Sequence, residues 1–251
     1  MKKLCSTVMV LLFVCVVAFA QGQPSAKFAI VWEDTPLIAI TSAETCDPAN
    51  DDFDFDRDSG VLLATMKMPS GKEILAGISA ESVILLNTRV TAKNGGSGTA
   101  TAFGSVRVRI KAVNLDTGDV YWPVPDGRIV LNMRMQQLSA KLGGVIEECT
   151  VGDDGVIDVG TECTVTPEEI GLLTASASAN HFNVVFPDLP QGTYKIRARF
   201  VVVSASAAAV TAVDPAEACA YAGSVVVLKD RIVTLQDVRA VKGSIETVEI
   251  E

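Results

Sequence analysis

The densest group of chemically active side chains in this sequence is a run of aspartates between positions 51 and 58. Its members are Asp51, Asp52, Asp54, Asp56 and Asp58. Carboxylates at alternate positions of a flexible loop can surround calcium, a hard cation that takes roughly six to eight oxygen ligands. We therefore consider Asp52, Asp54, Asp56 and Asp58 as a candidate calcium site. With Asp54 as the first position, Ser59 and Thr65 occupy the turn and closing positions of an EF-hand, so that motif is not matched. A solvated acidic loop is the alternative.

Two segments carry three cations each at alternate positions of a predicted strand. They are Arg107, Arg109 and Lys111 in the first segment, and Lys195, Arg197 and Arg199 in the second. Alternate residues share one face of a strand, so each segment has a cationic face. If the two strands are neighbours, like charges oppose each other, which indicates an anionic partner such as an acidic polymer or an acidic protein. If the strands are apart, acidic neighbours can neutralise each face, and we expect this outcome because pairing of opposite charges across strands is the ordinary arrangement.

Residues for hydrolytic catalysis are scarce. His181 is the single histidine and the G-x-S-x-G motif is absent, so a serine triad or a cysteine–histidine dyad would depend on one residue at a predicted strand entry. A carboxylate-pair glycosidase requires no sequence motif and remains an alternative. Tyr121 and Trp122 stand beside Pro123 and Pro125. This aromatic pair is either a binding rim for a sugar or a proline-rich strand, or the cap on one end of a sandwich.

The first twenty residues have the pattern of an export signal. Lys2 and Lys3 precede an apolar run from Leu4 to Val17, and Ala18-Phe19-Ala20 forms a small-x-small cleavage site. The apolar run is shorter than the roughly 20 residues that a membrane span needs. We therefore expect cleavage after Ala20, a mature protein that is secreted, periplasmic or on the cell surface, and no membrane insertion afterwards.

Four cysteines remain in the predicted mature chain: Cys46, Cys149, Cys163 and Cys219. An even number in an exported protein favours disulfides over metal ligation, and four cysteines permit three pairings. We predict a Cys149–Cys163 bond because Gly152-Asp153-Asp154-Gly155 between them has the composition of a tight turn. The Cys46–Cys219 bond then follows by elimination.

The predicted mature chain is strongly acidic. Loss of Lys2 and Lys3 takes the formal net charge from −9 to −11 at pH 7. Such a charge argues against nonspecific binding to nucleic acid and against adsorption to anionic membranes.

Alternation of apolar and polar residues with a period of two dominates the mature sequence. Val106, Val108 and Ile110 alternate with the first cationic triplet, and the second triplet has the same pattern. About ten such strand candidates, separated by turn signals such as Asp116-Thr117-Gly118, predict an all-β protein. The expected fold is an immunoglobulin-like or fibronectin-like β-sandwich.

One short helix is predicted within this all-β pattern. In Thr166-Pro167-Glu168-Glu169, the threonine can cap a helix, proline suits the first helical position, and Glu169 completes a capping box.

The passage from Phe186 to Tyr194 resembles the strand-to-strand corner of immunoglobulin-like and fibronectin-type sandwiches. In those corners a turn containing Leu, Pro and Gly leads a tyrosine into the next strand, where its hydroxyl can bond to the corner backbone. The resemblance supports the sandwich class and leaves the strand order open.

A wider resemblance extends from about Leu63 to Val241. It is carried by the residues of 66–73, by the cysteine pair leading into 166–170, and by those of 178–183. These segments are similar to a group of uncharacterised exported bacterial and archaeal β-sandwich proteins. The resemblance implies an exported sandwich and supplies no activity or binding residue. We expect a signal peptide at 1–20, an N-terminal extension with an acidic loop at 21–60, and a sandwich domain at 61–251.

Together these patterns predict a disulfide-stabilised, non-enzymatic binding or structural module of the cell envelope or extracellular space. No cofactor is expected beyond the candidate calcium ion. One alternative is an extracellular carbohydrate-active enzyme with a carboxylate pair in a concave site. Another is a filament or surface-layer subunit, in which a segment such as Gln21 to Thr41 adds a strand to an open sheet edge of a neighbour.

Overall fold

The computed structural model describes residues 28–47, 49–151, 157–158, 162–212, 214 and 217–239. The predicted export signal and the predicted turn at 152–155 lie outside these ranges. The described residues form two five-stranded antiparallel sheets that pack face to face, and a separate two-stranded hairpin. The all-β sandwich predicted from the alternation is confirmed. Among the described residues, no helix is long and apolar enough to cross a membrane.

The strands, in chain order, are β1 (Phe28–Glu33), β2 (Leu37–Thr45), β3 (Asp52–Met68), β4 (Glu73–Ala92), β5 (Gly96–Asn114), β6 (Val120–Tyr121), β7 (Arg128–Leu142), β8 (Val145–Cys149), β9 (Cys163–Thr166), β10 (Glu168–Phe186), β11 (Gly192–Thr211) and β12 (Ala218–Val238). Several are far longer than the usual five or six residues, roughly, of a strand in a globular protein. They therefore run along the full length of the sandwich.

Sheet A contains β1, β2, β12, β4 and β10. Strand β12 pairs with β4 along one side and with β2 and then β1 along the other. A bulge between Lys229 and Ile232 separates the β2 and β1 portions. Strand β10 pairs with the far side of β4 and forms the opposite edge.

Sheet B contains β3, β11, β5, β6 and β7. Strand β11 lies between β3 and β5, and the other side of β5 pairs with both β6 and β7. Strands β8 and β9 pair with each other. Alternation directs one face of each sheet inwards, so that side chains such as Ile84, Phe200 and Leu235 fill the space between the sheets.

The predicted hydrogen bond between the tyrosine hydroxyl and the backbone of the corner is confirmed at Tyr194. Its side chain is fully buried, and its hydroxyl donates to the Pro190 carbonyl at 2.7 Å. Asn114 Nδ2 donates to the same hydroxyl at 3.4 Å, and the Tyr121 ring meets the Tyr194 ring edge-on at 5.7 Å. The corner thus joins the β10–β11 turn to β5 and β6.

Both predicted disulfides are present. Cys46–Cys219 joins the end of β2 to the beginning of β12, across a sequence separation of 173 residues. Cys149–Cys163 joins β8 to β9 across a separation of 14 residues.

The predicted helix at Thr166 to Glu169 is wrong. Thr166 ends β9, and Glu168 begins β10, which pairs with β4 over 19 residues. The capping signal involves only a few local residues. A continuous ladder of inter-strand hydrogen bonds outweighs it, because local propensity is a weak determinant against tertiary pairing.

The predicted acidic loop is also wrong. Asp52 to Asp58 lie within β3, a 17-residue strand, and β1 and β2 belong to sheet A. The described part of the segment 21–60 is therefore integral to the sandwich and not an extension from it. Although aspartate is depleted in strands, β3 runs beside β11 and continues its pairing through the acidic run.

Candidate anion-binding site

The two predicted cationic triplets lie on neighbouring strands of sheet B. In the β11–β5 register, Arg199 is opposite Arg109 and Arg197 is opposite Lys111. The four arginines of the triplets are exposed and the two lysines are half-buried. Of the two arrangements predicted from the sequence, the structure therefore has the one in which the strands are neighbours and like charges oppose each other.

The buried residues between these cations determine their orientation. Val106, Val108 and Ile110 on β5 are at most 2% exposed and point into the core. Ile196, Ala198 and Phe200 do the same on β11. Because side chains alternate along a strand, the cations between them must point to solvent.

Two further cations that sequence reasoning missed complete this surface. Arg128 on β7 is opposite Arg109, so Arg199, Arg109 and Arg128 form a row across three strands. Arg57 on β3 is opposite Val203. Neither residue belongs to an alternating cationic segment, since Arg57 stands among aspartates and Arg128 has no nearby cation. We call the whole set the cationic face: Arg57, Arg107, Arg109, Lys111, Arg128, Lys195, Arg197 and Arg199.

Acidic side chains do little to neutralise the cationic face. Among the described residues, ion pairs within 4.0 Å join Arg89 to Glu169 and Arg128 to Asp126, and neither involves a triplet cation. The outward-pointing residues of β5 and β11 include no aspartate or glutamate. The expectation that acidic neighbours neutralise each triplet is therefore not met.

Trp122 contributes to this surface. The Arg109 guanidinium lies 4.5 Å from the centre of the Trp122 ring, and the indole is 44% exposed. Tyr121 instead packs against Tyr194 in the corner. Trp122 thus lies on the surface beside the cations, whereas Tyr121 packs into one end of the sandwich.

A groove of about 610 Å³ follows the cationic face. Val201, Val203 and Ala205 on β11 line its floor, and Ala205 lies between the larger Phe55 on β3 and Phe103 on β5. Five arginines also line it: Arg57, Arg107, Arg109, Arg128 and Arg199. A second hollow of about 210 Å³ lies beside Trp122, Lys111 and Arg197. Neither lining contains a carboxylate.

The chemistry of these groups favours oxyanions. The planar guanidinium fork can donate two parallel hydrogen bonds to a carboxylate, sulfate or phosphate. Several such forks beside one groove can hold more than one anionic group. The described lining of the two grooves supplies neither a nucleophile with an adjacent base nor paired carboxylates.

The four aspartates predicted to bind calcium instead form a row of hydrogen bonds between an edge of sheet A and an edge of sheet B. We call this row the aspartate ladder. Asp58, Asp56, Asp54 and Asp52 accept hydrogen bonds from the backbone N–H groups of Ile38, Ile40, Ser42 and Glu44, at 3.2, 2.8, 3.1 and 2.9 Å. The donors belong to β2, the edge strand of sheet A, and the acceptors to β3, the edge strand of sheet B. The ladder therefore occupies the outward N–H groups of β2.

This geometry does not assemble the predicted calcium site. Alternate residues of a strand are separated by about 7 Å, so the four carboxylates form a row and do not converge on one point. Among the described residues, a single group of three candidate ligands lies close together, Glu44, Cys46 and Cys219. Its two cysteines form a disulfide and cannot act as thiolate ligands.

His181 has a structural environment. Its Nδ1 lies 2.7 Å from Ser79 Oγ and its Nε2 lies 3.0 Å from Asn183 Oδ1. Both ring nitrogens are thus engaged on the outer side of sheet A, away from the cationic face.

Arg231 is a buried cation that sequence reasoning missed. It is 2% exposed, and one of its terminal nitrogens donates to the Thr35 carbonyl at 2.5 Å. Burial lowers its pKa, while Glu33 and Asp58 act in the opposite direction. A Cβ atom at position 60 would clash with the Arg231 guanidinium, so Gly60 makes room for this side chain. This arginine holds the β1–β2 junction against β12 and belongs to the scaffold.

Comparison with known proteins identifies no family. No protein family model matches the chain, and no curated protein matches it. A solved structure of the infectious bursal disease virus Gx strain is 10% identical, with a TM-score of 0.14, over 85% of this chain and 42% of that one. The chain thus spans less than half of that structure's length, and a similarity this low carries no argument about fold or function.

Proposed function

We propose that this protein is an exported, non-enzymatic binding module and that its cationic face binds an acidic polysaccharide. The observation that carries the proposal is the row of Arg199, Arg109 and Arg128 across three adjacent strands. The described neighbours leave both triplets without an ion pair, in a chain whose formal net charge is −9.

The energetic argument concerns like charges on paired strands. Directly opposed like charges destabilise a sheet, and opposite charges would stabilise it. In sheet B, Arg109 is opposite Arg199 and Lys111 is opposite Arg197, so repulsion within these pairs lowers the stability of the sheet. An anionic ligand removes the repulsion and gains charge-assisted hydrogen bonds, so its binding offsets the destabilisation.

The spacing of the cations favours a polymer over a single small anion. The triplet from Lys195 to Arg199 spans about 14 Å along β11, and the β5 triplet runs beside it about 4.8 Å away. Such a surface presents positive charges at repeated intervals in two directions. A chain with regularly spaced carboxylates or sulfates can engage several of them at once, while the net negative charge of the protein disfavours unselective binding.

The absence of carboxylates from both described grooves supports a binding role over the carboxylate-pair enzyme. Export and extracellular residence remain part of the proposal and rest on the predicted export signal and the two disulfides.

The test uses dextran sulfate as the acidic polysaccharide and uncharged dextran as its matched control. The triple variant Arg109→Gln, Arg197→Gln, Arg199→Gln should bind dextran sulfate at least about tenfold more weakly, since each charge-assisted contact contributes roughly 1.5–3 kcal/mol. Arg89→Gln, which removes a cation from sheet A, should bind like the wild type. Calorimetric titration at low and physiological salt measures both.

Three results would contradict the proposal. They are equal binding of dextran and dextran sulfate, unchanged affinity of the triple variant, and an Arg89→Gln variant as weak as the triple variant. Unfolding curves of each variant establish that a loss of binding does not come from a loss of fold.

A further inference from the structure

The two edges of sheet A differ in how their backbone is protected. On one edge, the aspartate ladder occupies the outward N–H groups of β2. On the other edge, β10 pairs with β4, and among the described residues its outward backbone pairs with another segment only at Val185, which forms a bridge with Val124. The Leu172 carbonyl also accepts a hydrogen bond from the Gln136 side chain of β7. Unpaired N–H and C=O groups of an edge strand are a template for another strand.

The central part of β10 also lacks the usual features that prevent such pairing. The stretch from Ile170 to Asn180 contains no charged residue and no proline, and its register with β4 is unbroken by a bulge. Leu173 is 72% exposed on this stretch. Charges, prolines and bulges are the common means of blocking an edge, so this portion of β10 is open to strand addition.

We propose that β10 pairs antiparallel with β10 of a second copy of this chain, around a two-fold axis at Ala175. The pairing joins the two A sheets into one continuous sheet. It places Leu173 opposite Ala177 and Thr174 opposite Ser176 of the second copy. This interface lies on sheet A and does not depend on polysaccharide binding by sheet B.

Self-complementarity of the sequence identifies the second copy as the occupant. Ala175 is the centre of the uncharged stretch, with five uncharged residues on each side, and the stretch is bounded by Glu169 and His181. A two-fold axis brings the same surface of both copies together. It therefore sets uncharged residues against uncharged residues and Glu169 against His181, with no like charges opposed.

The hydrogen-bond phase of β10 agrees with an axis at Ala175. Val185 exchanges both backbone bonds with Val124, at 2.7 and 2.9 Å, so Val185 directs its N–H and C=O away from β4. Because this direction alternates along an unbroken ladder, Ala175 directs the same groups outwards. Two Ala175 residues on the axis can then exchange a pair of hydrogen bonds. Gly171, which has no side chain, and the small side chains of Ala177 and Ala179 leave room for the approach.

Paired substitutions test both the interface and its register. Leu173→Lys with Ala177→Lys would set lysines opposite each other twice in the dimer. Leu173→Lys with Ala177→Glu would set lysine opposite glutamate twice. Both sites are exposed, so the fold should tolerate either pair. Sedimentation velocity over a range of concentrations should show a wild-type dimer, at least a tenfold weaker dimer for the lysine pair, and recovery to within about threefold for the lysine–glutamate pair.

Cross-linking supplies a second measurement. Ala175→Cys should form a disulfide-linked dimer under mild oxidation, because residues on the axis approach within the Cα distance that a disulfide needs. Thr65→Cys, exposed on β3, should not. A wild-type protein that stays monomeric at high concentration would overturn the proposal. So would a lysine pair that dimerises like the wild type, or a lysine–glutamate pair as weak as the lysine pair.

Discussion

At the scale of single residues, Tyr194 shows how one hydroxyl joins several elements. Its ring is buried between the sheets, while its oxygen bonds to the Pro190 carbonyl and receives the Asn114 amide. Burial raises the pKa of this phenol, chiefly because the ionised form would be desolvated. The same residue is therefore both a core side chain and a hydrogen-bonding corner.

Tyr194→Phe should lower the free energy of unfolding by about 1–2 kcal/mol, because the Pro190 carbonyl loses the donor of a partly buried hydrogen bond while the ring remains. Urea denaturation measures the change. Tyr221→Phe is the control, since Tyr221 is half-buried and lies beside Arg89 on sheet A. Equal effects of the two substitutions would contradict a specific role for the corner bond.

The raised pKa of Tyr194 also predicts a pH dependence. Its folded-state pKa lies above the ordinary value of 10.0, so the folded protein holds this proton more tightly than the unfolded chain does. The resulting stability is fully present below pH 10 and is lost as the pH rises through the folded-state pKa. Unfolding measured between pH 8 and 11, roughly, should therefore show a shallower alkaline decline for Tyr194→Phe. An identical decline would argue against this assignment.

At the scale of elements, the aspartate ladder links two edge strands that belong to different sheets. The alternate spacing of these aspartates in the sequence is compatible with a set of metal ligands and with one face of a strand. The position of β2 beside β3 favours the second, because every second N–H group of β2 donates to one carboxylate. The ladder thus performs the edge protection that β10 lacks.

The double variant Asp54→Ala, Asp56→Ala should unfold about 1–3 kcal/mol more easily and aggregate faster, because the N–H groups of Ile40 and Ser42 lose charged acceptors. Asp54→Asn with Asp56→Asn keeps neutral acceptors and should lose less. Asp51→Ala removes an exposed acid just outside the ladder and serves as the control. Urea denaturation and light scattering measure these effects, and a control as unstable as the double variant would refute the ladder's role.

At the scale of the whole molecule, the two disulfides act on different parts of the structure. Cys46–Cys219 ties β2 to β12 at one end of the sandwich and closes a loop with a separation of 173 residues. Cys149–Cys163 closes a hairpin whose strands, among the described residues, pair only with each other. The first bond therefore constrains the sandwich, and the second constrains an appendage.

Cys46→Ser with Cys219→Ser should lower the free energy of unfolding by about 4–5 kcal/mol, as the chain-entropy model gives for a long loop. Cys149→Ser with Cys163→Ser should shift the main transition by less than about 1 kcal/mol, since the hairpin can open locally. Urea denaturation of the two double variants decides the point. A larger loss from the second pair would show that the hairpin is coupled to the sandwich.

Several features could be predicted from the sequence because they depend on neighbouring residues or on simple counting. Alternation in β5 and β11 determined which side chains face water, and therefore the direction of all six triplet cations. The cysteine count and one predicted turn were enough to predict both disulfides. The corner motif before Tyr194 determined its bond to the Pro190 carbonyl.

Other features depended on which distant strands lie side by side. The pairing of β5 with β11 turned two separate triplets into one cationic face, and β3 and β7 added Arg57 and Arg128 to it. Pairing with β4 made a strand of the predicted helix, and β2 gave the aspartates their donors. A periodic pattern specifies only the two faces of a strand. Its neighbours are set by packing and hydrogen bonding between residues far apart in the chain, so tertiary structure alone decided where the charges meet and which edge stays open.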